Sequence, residues 1–132
     1  MKTFWCFILS LIRAQDFCPA TCTSCGRSSR NGIVDKGLYI CSSEKEIVDV
    51  PYGLPKDKIR DLRLNNNAIE KIYQHDFRGW KNMEILHLEE NVINEIEMDS
   101  FKSFQTLQTL YLSNNQLVGV ADGIFLPMSN LR

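Results

Sequence analysis

Cys18, Cys22, Cys25 and Cys41 are the residues of this 132-residue chain whose types and spacing could do chemistry, and three kinds are open to them. Oxidised, they form two disulfides, in any of three pairings. As thiolates, they could fill a tetrahedral zinc site built on the close pair Cys22-x2-Cys25. As a C-x-x-C pair, Cys22 and Cys25 could exchange disulfides, but no strand–helix–strand pattern surrounds them to set up that reactivity. The compartment decides between the first two. The opening MKTFWCFILSLIRA has an early cation in Lys2, an apolar stretch from Phe4 to Ile12 and a small residue, Ala14, where a peptidase could cut. That is the layout of a secretory signal peptide, although Ile12 and Arg13 are unusual beside a cleavage point. The stretch is about half of the roughly 20 residues a spanning helix needs, so no membrane span is expected here. Cys6 leaves with the leader, the count becomes even, and an oxidising compartment favours disulfides over metal.

Other chemistry is not expected. The chain carries no nucleophile with a base and an orienter at plausible spacing, no Gly-rich phosphate loop and no His/Glu metal motif, so neither an enzyme nor a cofactor is implied. The acids Glu84, Glu89, Glu90, Glu95 and Glu97 lack the spaced oxygen ligands of a calcium loop and read as a solvated face. Losing Lys2 and Arg13 takes the net charge from -1 to -3, which steers the chain toward no nucleic acid. Asn-x-Ser/Thr is absent, so no N-linked glycan is expected.

The elements that must position any site come from a repeat. Ile59-x-x-Leu62-x-Leu64-x-x-Asn67-x-Ile69-x-x-Ile72 is followed in register by Met83, Leu86, Leu88, Asn91, Ile93 and Ile96, then by Leu107, Leu110, Leu112, Asn115, Leu117 and Val120. Phe77, Phe101 and Phe125 align as well, as do Trp80, Phe104 and Met128, which makes Trp80 a packing residue rather than a binding anchor. His75 shares a column with Asp99 and Gly123 and reads as a solvated loop residue. Leucines alternating with polar neighbours predict short strands at DLRLN, ILHLE and TLYLS, each with one buried face. Strands repeated in one direction must lie parallel, and one coil cannot bury its own leucines, so neighbouring coils do it. Phe77, Phe101 and Phe125 are expected to fill the far side of each coil. Asn67, Asn91 and Asn115 sit where each strand bends away, and their amides can bond the backbone groups that the bend leaves unpaired, as a ladder.

This pattern resembles the extracellular leucine-rich repeat family in its 24-residue form, of the Slit, Toll-like receptor and variable lymphocyte receptor type. CPATCTSC, Cys41 and then VPYGLP (50–55) resemble that family's N-terminal cysteine cap, with a small hairpin suggested by Asn31-Gly32. The resemblance implies a right-handed solenoid of α/β type, a horseshoe with short parallel strands on its concave face. It implies a mostly irregular or short helical convex side and a disulfide-stapled cap. Its usual pairing would join Cys18 to Cys25 and Cys22 to Cys41, although two residues rather than one separate the second and third cysteines. The expected layout is a signal peptide at 1–14, a cysteine-rich cap at 15–57, and three repeats plus the start of a fourth at 58–132.

With the leucines turned inward, Asp61, Arg63, Asn65, Ile85, His87, Glu89, Thr109, Tyr111 and Ser113 face the concave side, with Tyr111, His87 and Ile85 as anchor candidates. The resemblance implies that this face binds a protein ligand, in adhesion, guidance or immune-type recognition, on a secreted protein or the ectodomain part of a membrane receptor. The alternative is a structural matrix or scaffold component with no dedicated ligand. Leu131 opens a fourth coil with no cysteine cap after it, so the chain is expected to be a fragment of a longer protein, or else to self-associate end to end.

Overall fold

Three-residue strands, two of them with a central leucine fully buried, build a parallel sheet, in a computed structural model that describes residues 29–30, 33–34, 38–41 and 47–132. Among the described residues the strands are β1 (Ser29–Arg30), β2 (Ile33–Val34), β3 (Leu38–Ile40), β4 (Asp61–Arg63), β5 (Lys71–Ile72), β6 (Ile85–His87), β7 (Glu95–Ile96) and β8 (Thr109–Tyr111). β1 and β2 pair antiparallel with Asn31 and Gly32 between them. The leader and Cys18, Cys22 and Cys25 lie outside the described residues.

The main sheet runs β3-β4-β6-β8, all parallel. Its register puts Tyr39, Leu62, Leu86 and Leu110 in one row and Ile40, Arg63, His87 and Tyr111 in another. The sheet thus begins one strand before the repeats, with β3. The same backbone bond recurs at each step: Cys41 N–H donates to Arg63 O at 2.8 Å, Leu64 N–H to His87 O and Leu88 N–H to Tyr111 O, both at 2.9 Å. Cys41 accordingly stands one step before Leu64 and Leu88 in their column, and it is buried with them. The return path contains no helix among the described residues. It consists of turns and a second parallel pair, β5-β7, which aligns Ile72 with Ile96.

Between the two sheets the repeated side chains pack coil on coil. Leu62, Leu64, Ile69, Leu86, Leu88 and Ile93 are fully buried. Phe77, Phe101 and Phe104 form an aromatic layer with centroids 5.1–6.2 Å apart, and Trp80 meets Phe77 edge-on at 6.0 Å. Each ring of this kind contributes about 2–3 kcal/mol by burial. The last coil departs from the expectation. Phe125 stacks on Phe101 at 6.3 Å but stays 36 % exposed, and Leu110, Leu112 and Leu117 are only partly buried. Among the described residues this coil has a neighbour on one side only, which leaves these columns part-covered while Leu107 and Met128 stay buried.

Each strand exit also bends through a left-handed residue, Asn66 (φ 58°), Glu90 (φ 56°) and Asn114 (φ 56°), one position before the ladder asparagine. Asparagine tolerates that region and glutamate does not, at a cost on the order of 1 kcal/mol. Glu90→Asn should therefore raise stability by roughly 0.5–1 kcal/mol in urea unfolding. An unchanged or lower midpoint would show that the bend stores no strain at Glu90.

Candidate functional site

The concave face is held by its asparagines. Asn91 Oδ1 accepts Ile69 N–H at 3.1 Å while its Nδ2 donates to Leu64 O and Leu88 O, both at 3.0 Å. Asn115 repeats this, accepting Ile93 N–H at 3.0 Å and donating to Leu88 O and Leu112 O at 2.9 Å. Asn67 donates to Cys41 O at 2.8 Å and Leu64 O at 2.9 Å, which ties the first repeat to the strand before it. Every rung bridges two coils, so the spacing of the strands, and of the side chains they project, is fixed where the chain leaves the sheet.

Of the nine residues expected on this face, five form one cluster centred on His87. Its Nδ1 lies 3.1 Å from Glu89 Oε1, its Nε2 lies 3.7 Å from Asp61 Oδ1, and its ring stacks on Tyr111 at 4.5 Å and 18°. Arg63 Nη2 donates to Asp61 Oδ2 at 3.3 Å. At 3.7 Å from His87 Nε2, Asp61 Oδ1 is beyond hydrogen-bond reach and is buried without a hydrogen-bond partner. Arg63 Nε and Glu89 Oε2 are left in the same condition. Tyr111 is 44 % exposed and forms the open side of the cluster. Asn65, Ile85 and Thr109 flank it half-buried, Ser113 lies exposed, and none of the four makes a side-chain hydrogen bond among the described residues. The acidic run disperses: Glu84 pairs with Arg60 at 2.8 Å, and Glu95 and Glu97 pair with Lys71 at 2.9 and 3.0 Å. No group of three or more His, Cys, Asp or Glu side chains among the described residues could hold a metal ion.

A second concavity escapes sequence reasoning. A cleft of about 460 Å³ opens between the segment Asp49–Lys56 and the turn Tyr73–Asp76, with Trp80 also in its lining. The Asp76 side chain is only 7 % exposed, and its Oδ2 accepts Tyr73 N–H at 2.7 Å. Burial holds this carboxyl above its ordinary range, with Asp49 and Glu97 pushing the same way and the Tyr73 N–H opposing them. The folded chain therefore takes up this proton before the unfolded chain does. The group's contribution to stability improves as pH falls through its folded value and is complete below the ordinary 3.8. Asp76→Asn keeps an oxygen for Tyr73 N–H, so it should melt slightly above the parent at neutral pH. Calorimetry across pH should find that advantage gone in acid, and a constant gap would mean that the carboxylate pays no burial cost.

Sequence models of the leucine rich repeat match residues 57–117 and 106–129. No curated protein matches the chain by sequence. The crystal structure of human 5T4, also named Wnt-activated inhibitory factor 1 or trophoblast glycoprotein, superposes with a TM-score of 0.70 at 22 % identity over 90 % of this chain. The chain spans 40 % of that protein's length. The recurring columns, the stacked parallel coils and both sequence matches converge on residues 57–129, and through them the chain belongs to the leucine-rich repeat family.

Proposed function

We propose that this chain is an extracellular protein-binding module that reads its ligand with the concave face of the repeat array. The observation that carries the reading is the His87 cluster: side chains of three adjacent strands, held in fixed rows, with Tyr111 open at the edge. A preformed row of this kind loses little conformational freedom on binding, and an exposed aromatic beside buried polar groups is the usual make-up of an interface anchor. The extracellular setting rests on the leader at 1–14 and the even count of the remaining cysteines. In this reading 15–57 is a cap stapled by Cys18–Cys25 and Cys22–Cys41, and the biological role is adhesion, guidance or immune-type recognition on a secreted protein or receptor ectodomain. Where no further coil follows the last one, two copies would associate end to end through its open face; light scattering at high concentration tests this, a monodisperse monomer counting against it.

The test is an array of secreted proteins and cell-surface ectodomains probed with the secreted chain. Ligands captured by the parent should be lost, at least tenfold, by the His87→Ala/Tyr111→Ala variant and kept by Arg78→Ala on the convex side. Equal capture by the concave variant, or loss with Arg78→Ala alone, would move the binding surface elsewhere.

A further inference from the structure

The cleft beside Trp80 is built from residues outside the concave rows and takes no part in the reading above. Its lining carries fixed negative charge at Asp49 and Asp76 and fixed positive charge at Lys56, with His75 beside them, its Nε2 3.6 Å from Asp76 Oδ1. Lys56 keeps its charge, but its Nζ is held by Arg78 O at 2.9 Å, and one cation stands against two carboxylates. Lys71, close by over the Tyr73 ring, is held by Glu95 and Glu97. The cleft is therefore short of a cation, with a carboxylate more than nine-tenths buried in its wall. Its aromatic surface suits one as well. Lys71 Nζ lies 5.1 Å from the Tyr73 centroid, so an ammonium is already accepted against that ring, and Tyr52 stands 85 % exposed at the rim with its ring unclaimed. Trp80 lines the cleft as well, and its buried Nε1 has no hydrogen-bond partner. The volume of about 460 Å³ falls within the range of small-ligand pockets.

We propose that this cleft is a second binding site, one that receives a lysine or arginine side chain of a partner polypeptide, its cation toward Asp76 and Asp49 and its stem along Tyr52. An anion would meet two carboxylates. A saccharide would use the same rings and hydrogen-bonding groups but would leave the charge uncompensated, and the experiment separates it.

Trp5 and Trp80 are the two tryptophans of the chain, and Trp5 lies in the proposed leader, so in the secreted chain the indole N–H resonance of Trp80 reports on this site alone. Titration with N-acetyl-lysinamide and N-acetyl-argininamide should shift that resonance saturably, while the neutral N-acetyl-glutaminamide and methyl glucoside should not. Asp76→Asn and Tyr52→Ala should each weaken the response at least tenfold with the rest of the spectrum preserved. No saturable shift, an equal shift with the glutamine amide, or indifference to Asp76→Asn would overturn the proposal, and a shift with the glycoside alone would replace it with a saccharide site. None of these outcomes depends on His87 or Tyr111, so this site and the concave face stand or fall separately.

Discussion

Asn91→Ala should lower folding stability by about 2–3 kcal/mol, because it leaves one buried N–H without an acceptor, at a cost of roughly 1–3 kcal/mol, and takes one hydrogen bond from each of two carbonyls. Ile69 N–H loses its acceptor, while Leu64 O keeps Asn67 and Leu88 O keeps Asn115 as a second donor. Asn115→Ala removes bonds of the same length from a rung that is only partly buried, so water can replace some of them, and about 1–2 kcal/mol is expected there. Asn91→Asp should be no better than alanine, since a carboxylate brings oxygens to the two carbonyls that need N–H groups. Urea unfolding followed by circular dichroism measures all three. If Asn91→Ala cost no more than Asn115→Ala, the ladder would be a by-product of the fold rather than one of its supports.

Phe101→Ala should cost about 3–5 kcal/mol, the range for removing a fully buried aromatic and leaving its cavity. Phe101 touches rings on three sides, Phe77 at 6.2 Å, Phe104 at 5.6 Å and Phe125 at 6.3 Å, so no single neighbour can collapse into the space. Phe125 occupies the same repeat column but keeps a third of its surface in water, and Phe125→Ala should cost only about 1 kcal/mol. Thermal denaturation of the pair reads the difference. Equal costs would mean that the last coil is as well covered as the middle one, contrary to the exposure of Val118 and Leu126 beside it.

The repeat was legible because its period is also the physical unit of the fold. One leucine pair, one asparagine and one phenylalanine per 24 residues report a strand, a bend and a filled coil, whatever lies between them. What stayed hidden is what breaks that period. β3 joins the sheet 23 residues before β4, without the leucine pair that marks the others, so Leu38–Ile40 does not announce itself as a sheet strand. Phe125 matches its column in type, and only the asymmetry of its surroundings sets its exposure. On the concave face, alternation identifies which residues point outward but not that His87 sits between Asp61 and Glu89 under Tyr111. The cleft is harder still. Tyr52 and Asp76 lie 24 residues apart in unlike surroundings, and His75, read as solvated, is indeed 75 % exposed, which conceals the buried Asp76 next to it. A lone buried carboxylate leaves no periodic trace.

The place of β3 at the head of the sheet bears on how the chain comes to be wound. Synthesis delivers residues 38–40 before any residue of 61–63, so the first turn of the solenoid meets a backbone edge that has already left the ribosome. Asn67 then fastens that turn to Cys41, and each later turn lands on one already laid. Assembly in the order of translation needs no distant segment to wait for.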